Sequence, residues 1–281
     1  DWLREVKDWC VSRQIWWGHP VPIEGSEDTF DTWFSSALWP FATLGWPEKT
    51  SDLKNYYPTA VITSARDILH LWISRMIFSG LEFMGKVPFK DVIIHSTVQA
   101  SDGRRMSKSL GTGIDPLNLI EKYGADATRF GLIFQEFGGQ EIRFNEQNIL
   151  MGKKFANKLW NITRFVQLKN PHLGVRLPSK LTDGENKKFM KLLTQTKKSM
   201  EKNLNAYKFG EAAHLLYDFV WHKFADKFIE DSKNKKGSET TAVLAHSLRE
   251  ILKMLHPFMP FITEEIWQSF GEKEMLVVEK W

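Results

Sequence analysis

Cysteine is nearly missing from this 281-residue chain, with Cys10 its only thiol. One cysteine excludes an internal disulfide and a cysteine-built zinc site, and it fits a reducing compartment, so a cytoplasmic location is expected. Long apolar runs are missing too: none approaches the ~20 residues of a membrane-spanning helix, and no membrane partner is expected. The eight histidines are scattered without HExxH spacing, so no structural metal is expected. The opening residues, DWLREVKDWC, have neither an initiating Met nor a basic start followed by an apolar stretch, and the chain is expected to be a fragment. No internal repeat is visible.

What is present is the composition of an ordinary globular protein, 42% apolar and 26% charged, with enough length for two domains. The net charge of +4 is unevenly spread. Residues 1–150 carry 15 Lys and Arg against 19 Asp and Glu, whereas 151–281 carry 23 against 15. A basic excess confined to the second half points to a polyanion partner there, the alternative being a solvated lysine-rich helical surface.

Along the chain, Trp2, Val6 and Trp9 or Cys10 fall at helical spacing. Gly18, Pro20 and Pro22 then impose an extended segment beneath the Trp16–Trp17 pair. The aromatic-rich stretch 31–46 reads as helical up to Pro40 and is expected to pack against that pair. Residues 57–63 read as a buried strand, 65–84 as a helix with Ile68, Trp72, Met76 and Phe83 in phase, and 92–95 as the next strand. Strand, helix and strand in this order make a parallel α/β unit, whose ligands collect at the carboxyl ends of the strands, here 63–67 and 95–109. Those ends are expected to face one crevice.

Beyond residue 145 helical periodicity takes over. Phe155, Leu159, Ile162 and Val166 mark one helix; Phe189, Leu193 and Met200 a second; Phe209 through Phe228 a third; Leu244, Leu248, Ile251 and Leu255 a fourth, with a short fifth beginning near Thr263. Linkers are expected at 169–184 and 232–237, with Ser238 as an N-cap. The fold class is therefore α/β, then all-α.

The stretch 92–116, VIIHSTVQASDGRRMSKSLGTGIDP, reads as strand, mobile basic loop and helix start. Such a loop can close on phosphates; taken alone, its Met106–Ser109 tetrapeptide reads equally as a solvated basic turn.

Taken together, these segments resemble the class I aminoacyl-tRNA synthetases, and among them the valine-specific branch. The resemblance is carried by DWCVSRQIWWGHPVP (8–22), DTWFSSALWPFATLGWP (31–47), ARDILHLWISRM (65–76), DGRRMSKSLG (102–111), IDPL (114–117), YGADATRF (123–130), NKLWNITRFV (157–166), YDFVW (217–221) and LHPFMPFITEEIW (255–267). It runs from end to end and implies two domains. Residues 1–144 would be the C-terminal part of a Rossmann-like catalytic domain bearing the KMSKS loop, and 145–281 a helical-bundle anticodon-binding domain.

The resemblance also implies roles. The family joins an amino-acid carboxylate to the α-phosphorus of ATP, with Mg²⁺ accompanying the nucleotide, and expels pyrophosphate. Lys108, in the KMSKS position, is expected to stabilise the leaving group's charge in the transition state. Arg105 stands where the family has its first lysine and keeps the charge in a different geometry. Ser107 and Ser109 can offer hydroxyls, and Gly103 and Gly111 can hinge the loop. Asp67, His95, Met106 and Lys108 are the candidates for ATP binding; Asp67 also reads as a helix N-terminal acid favoured by the macrodipole. Ala65 and Ser96 replace glycines that the family places near the adenosine.

The implied valine pocket is Trp17, Ile68 and Trp72, a dry slot suited to a small β-branched side chain, though such aromatics also read as core. Lys153, Lys154, Lys158, Trp160 and Arg164 form the candidate tRNA-binding helix, able to neutralise phosphates and stack a base; in the alternative reading Trp160 packs inward. His256, Pro257 and Trp267 are assigned to packing. The family's HIGH motif occurs nowhere in these residues, nor do its editing insertion and its C-terminal coiled-coil arm, so weak or no adenylation is expected of the 281 residues alone. The connector at 24–28 is shorter than the Cys-bearing segment of many relatives. The expected partners are valine, ATP and valine-accepting tRNA, bound by a monomer. An isoleucyl or leucyl relative and a non-catalytic tRNA-binding fragment are the rival readings.

Overall fold

The computed structural model describes residues 4–107, 111–136, 138, 141–174, 176–235 and 237–281. Its chain clusters into two units, Asp1–His95 and Ser96–Trp281.

In the first unit a two-residue ladder, β1 (Ser12–Arg13) against β2 (Thr29–Phe30), is antiparallel. Residues 5–11 form no helix, contrary to the spacing of Val6 and Trp9. The reason lies in Asp31. Its carboxylate accepts from Trp9 Nε1 at 2.8 Å and from Arg13 at 2.9 Å, which draws the segment out along β2. Asp31 also caps α1 (Thr32–Ala37) by accepting from the Trp33 amide, one of the amides left without a carbonyl at a helix start. Pro40 lies in the first turn of a second short helix, α2 (Trp39–Ala42), where its missing N–H costs nothing. Trp16 and Trp17 do not cover this stretch: they are 95% and 80% exposed. Phe30 stacks on Phe34 at 4.4 Å, and Trp9 tilts against Phe34 at 6.2 Å.

After α3 (Ser51–Tyr56), capped by Thr50, the parallel pair β3 (Thr59–Ser64) and β4 (Phe89–Ile94) runs in register from Thr59 opposite Phe89 to Ser64 opposite Ile94. Only Ser64 of β3 is buried, whereas the apolar run 57–63 implies burial throughout. Among the described residues of the unit β3 pairs with β4 alone, and one small cluster, Ile73, Met76 and Phe89, covers the pair. The helix between the strands is not uniform. It opens as a 3₁₀ turn at Arg66–Ile68, widens into a π stretch at Leu69–Ile73 and becomes α4 at Ser74–Met84.

The second unit contains a parallel pair of three-residue strands, β5 (Thr97–Gln99) and β6 (Glu141–Arg143). Between them lie α5 (Pro116–Tyr123) and α6 (Ala125–Ile133), and after them the long α7 (Glu146–Lys169). Helices α6 and α7 pack closely because Gly152 has no side chain; a Cβ there would sit 2.6 Å from the Ala127 carbonyl oxygen. The bundle continues with α8 (Gly184–Asn205) and α9 (Phe209–Asp218). The latter runs on through a π-coiled segment (Phe219–Ile229) into α10 (Glu230–Ser232). Helix α11 (Ser238–Leu255), α12 (Pro260–Ser269) and a 3₁₀ turn (Leu276–Val278) complete it.

The four helical stripes read from the sequence converge on one core that includes Phe155, Leu159, Met200, Leu216, Phe224, Leu248 and Ile251. Gly237 rather than Ser238 is the N-cap residue of α11, and the last helix begins at Pro260 rather than Thr263. Trp267 is fully buried and donates its indole N–H to the Glu274 carbonyl at 2.9 Å.

Candidate functional site

The basic loop starts from a tight turn beyond β5. The Gly103 amide donates to the Ala100 carbonyl at 2.8 Å and the Ala100 amide to the Arg104 carbonyl at 2.9 Å. Asp102 accepts from both the backbone N–H of Arg104 and its Nε, at 3.0 and 2.8 Å. The backbone hydrogen bond first, and the side-chain one with it, hold the Asp102 carboxyl below the usual carboxylate range. Of the two adjacent arginines Arg104 is thus tied back, while Arg105 is exposed and makes no ion pair among the described residues. Gly103 and Gly111 adopt φ of +85° and +64°, backbone that a side chain would strain. Met106 turns inward and packs against the cluster of Leu119, Phe144 and Ile149. The Ser107 amide donates to Thr112 Oγ1 at 3.0 Å. Lys108 and Ser109 lie outside the described residues. Downstream, Asp115 caps α5 by accepting from the Leu117 amide at 2.9 Å.

In the first unit the carboxyl ends of β3 and β4 are adjacent: the His95 amide donates to the Ser64 carbonyl at 3.1 Å. Asp67 is exposed one turn beyond β3, in the 3₁₀ turn. Ile68 and Trp72 are half-buried; Trp72 packs against the Ile73 cluster and donates its indole N–H to the Ser36 carbonyl at 3.0 Å. Helical spacing places Ile68 and Trp72 on one face, and the π stretch that contains Trp72 is a rare geometry often found beside functional sites. Trp17 stands in solvent, its carbonyl accepting from Thr29 Oγ1 at 3.3 Å.

On α7 the basic residues divide. Lys153, Trp160 and Arg164 follow one another at helical spacing and are exposed, with Trp160 40% accessible and Leu168, 88% accessible, at the end of the stripe. Trp160 does not enter the bundle core. Lys154 is exposed one position round from Lys153. Lys158 faces the other way: it pairs with Asp226 at 2.8 Å and lies 5.1 Å from the Trp221 ring centroid. This hydrogen bond holds the Asp226 carboxyl below its ordinary range. Three of the five candidate residues therefore form one cationic–aromatic stripe, and Lys158 already has a carboxylate partner.

Sequence reasoning missed a connection from the loop's helix to this stripe. Glu146, at the start of α7, accepts from Lys122 Nζ at 2.8 Å and from the Tyr123 hydroxyl at 2.6 Å, both at the end of α5. Lys153 in turn donates to the Lys122 carbonyl at 3.2 Å. The hydrogen bond from Lys122, then that from Tyr123, lowers the Glu146 carboxyl. Acid and base 24 residues apart carry no local signal. Among the described residues no three His, Cys, Asp or Glu side chains could together hold a metal ion, and no helix is long and apolar enough to cross a membrane.

Residues 1–25 and 23–145 match the family described as tRNA synthetases class I (I, L, M and V), and residues 186–281 match the anticodon-binding domain of tRNA ligase. The chain belongs to the class I tRNA synthetases. Its family match comes in two pieces that meet at 23–25, in the short connector before β2. Over its whole length this synthetase chain is 42% identical to a valine–tRNA ligase of Oceanobacillus iheyensis and 43% identical to one of Bacillus cereus, spanning 36% of the length of each. Two solved structures share its fold. A leucyl-tRNA synthetase of Agrobacterium radiobacter K84, in ternary complex with tRNA and LeuAMS, superposes with a TM-score of 0.79 at 21% identity, covering 91% of this chain and 34% of that one. A Mycobacterium tuberculosis methionyl-tRNA synthetase in complex with methionyl-adenylate gives 0.77 at 18% identity, covering 94% and 54%.

Proposed function

We propose that this chain acts as the KMSKS-loop part of the catalytic domain, residues 1–144, and the anticodon-binding bundle, residues 145–281, of a valine–tRNA ligase. The observation that carries this reading is the identity of 42–43% to valine–tRNA ligases along the entire chain.

In the proposed reaction a carboxylate oxygen of valine attacks the α-phosphorus of ATP. The bond from that phosphorus to the bridging oxygen of the β-phosphate breaks, and pyrophosphate leaves with valyl-adenylate formed. A ribose hydroxyl at the 3′ end of tRNA then attacks the acyl carbonyl and AMP departs. Charge accumulates on the leaving pyrophosphate in the first step. Cations that meet it there lower the barrier, whereas cations bound equally to ATP beforehand would not. Lys108 and Arg105 are assigned that role, with Ser107 and Ser109 as hydroxyl donors, and Mg²⁺ would accompany the nucleotide and offset part of its charge. Asp67 and His95, at the strand ends, are assigned to the nucleotide together with Met106. Because Met106 packs into the Leu119 cluster, its share in ATP binding is through its backbone.

Ile68, Trp72 and Trp17 are assigned to the valine side chain. An apolar pocket for valine discriminates by size and rejects isosteric threonine poorly, as the behaviour of valine-specific enzymes illustrates. The stripe Lys153, Trp160 and Arg164, with Lys154 beside it, is assigned to tRNA, whose phosphates suit its charge and whose unpaired bases suit its indole. Charging of tRNA by the complete gene product tests the reading. Valine should be attached at a rate well above isoleucine and leucine, and preferential attachment of either of those would refute the specificity assigned here.

A further inference from the structure

We propose that Thr112 is a positioning residue of the adenylation loop, holding the two ends of the segment that carries Lys108 in register. One hydroxyl makes two bonds. It donates to the Arg105 carbonyl at 2.9 Å and accepts from the Ser107 amide at 3.0 Å. A threonine hydroxyl has one proton and two lone pairs, so its donor is fully used. The β-branch also restricts χ1, so the hydroxyl is held where it stands rather than found by a search among rotamers.

The surroundings give this staple its effect. Between the two bonded residues Met106 is anchored in the Leu119, Phe144 and Ile149 cluster. On the upstream side Arg105 also bridges to Gln99 of β5, so its backbone is tied to the strand as well as to Thr112. On the downstream side the chain comes back alongside: a Cβ on Gly113 would lie 3.8 Å from the Ser107 carbonyl group. Arg105 and Ser107 are therefore fixed to β5, to the apolar cluster and to residue 112. Arg105 and Ser107 are thus held by a built stem instead of a free turn. No composition or spacing rule singles out a threonine between two glycines for this task.

The role rests on the adenylation reading given above, and the test separates the two. Thr112→Val keeps the shape and removes both hydrogen bonds; Thr112→Ser restores the hydroxyl. In the whole protein, hydrogen–deuterium exchange of the amides at 105–107 should rise by about 10- to 100-fold in the valine variant and return towards wild type in the serine variant, the range set by two ordinary hydrogen bonds. Valine-dependent ATP–pyrophosphate exchange should lose at least about tenfold in kcat with KM for ATP within about twofold, because misplacement is felt chiefly in the transition state. Serine should rescue both readouts. Unchanged exchange at 105–107 in the valine variant overturns the staple, and faster exchange with unchanged kcat overturns its positioning role. If wild-type protein activates none of valine, isoleucine and leucine, the adenylation reading fails instead, and the staple then stands or falls on the amide exchange alone.

Discussion

The carboxylate of Asp126 accepts a 2.6 Å hydrogen bond from the backbone amide of Ile262, with Phe261 donating to its other oxygen at 3.2 Å. A side chain at the start of α6 thereby caps α12, more than 130 residues later, and Arg129 on the same helix donates to the Pro257 carbonyl at 3.0 Å. Burial pushes the Asp126 carboxyl up, against the two amides that pull it down. Asp126→Ala would leave two helix-start amides unsatisfied in a site only 8% exposed. The expected loss is about 1–3 kcal/mol in urea or thermal unfolding. An unchanged midpoint would show that water replaces the cap.

Glu239 gives the bundle an acid limb. Its carboxylate accepts from the Thr182 amide at 2.8 Å, the Thr182 hydroxyl at 2.7 Å, the Asp183 amide at 3.0 Å and Asn186 Nδ2 at 2.9 Å. These bonds, led by that from Asn186, lower its pKa to about 2 from an ordinary 4.5. A depressed carboxylate stabilises the fold above its unfolded pKa and loses that contribution as pH falls through the folded value. Bundle stability should therefore decline between pH 4.5 and about 2, and Glu239→Gln should flatten that decline. A variant with the same acid slope as wild type would contradict the assignment.

Gly152→Ala tests the close contact of α6 and α7. The added methyl meets backbone at 2.6 Å, so a helix must move, and the expected cost is about 1–3 kcal/mol, the range for overpacked sites. Equilibrium unfolding reads it directly. A neutral effect would mean that the two helices separate without penalty.

The basic residues of α7 should separate by their salt dependence. Removing Lys153 or Arg164 should weaken tRNA binding and lower the slope of log affinity against log salt by about 1 each, and Trp160→Ala should cost about 1–3 kcal/mol with the slope kept. Lys158→Ala should leave the slope nearly unchanged, because that lysine is already paired with Asp226. Equal salt slopes for the Lys158 and Arg164 variants would contradict the division.

The helical half of the chain was legible because its apolar stripes are long. Leu244, Leu248, Ile251 and Leu255 repeat over several turns, and each is buried in the same core. The first unit was less legible. Three apolar residues from Trp2 to Trp9 suggest a helix, but the window is short and the Asp31 carboxylate offers Trp9 a partner that no helix provides. Helical spacing from Ile68 to Phe83 concealed the change from 3₁₀ to π to α, since the apolar phase survives a single widened turn. Arg105 and Ser107 could be named as candidates because they stand in a recognisable motif. Glu146 and Asp126 act through hydrogen bonds to residues far along the chain, and Thr112 through bonds across one loop, none of which leaves a periodicity to read.

The valine activation proposed for the basic loop is tested most directly by valine-dependent ATP–pyrophosphate exchange with the complete gene product. Exchange should depend on valine over isoleucine and leucine, and Lys108→Ala should reduce kcat by about 10²-fold or more, the scale for removing one preorganised transition-state contact. Full exchange activity in the Lys108→Ala protein, or no valine-dependent exchange in the wild type, would contradict it.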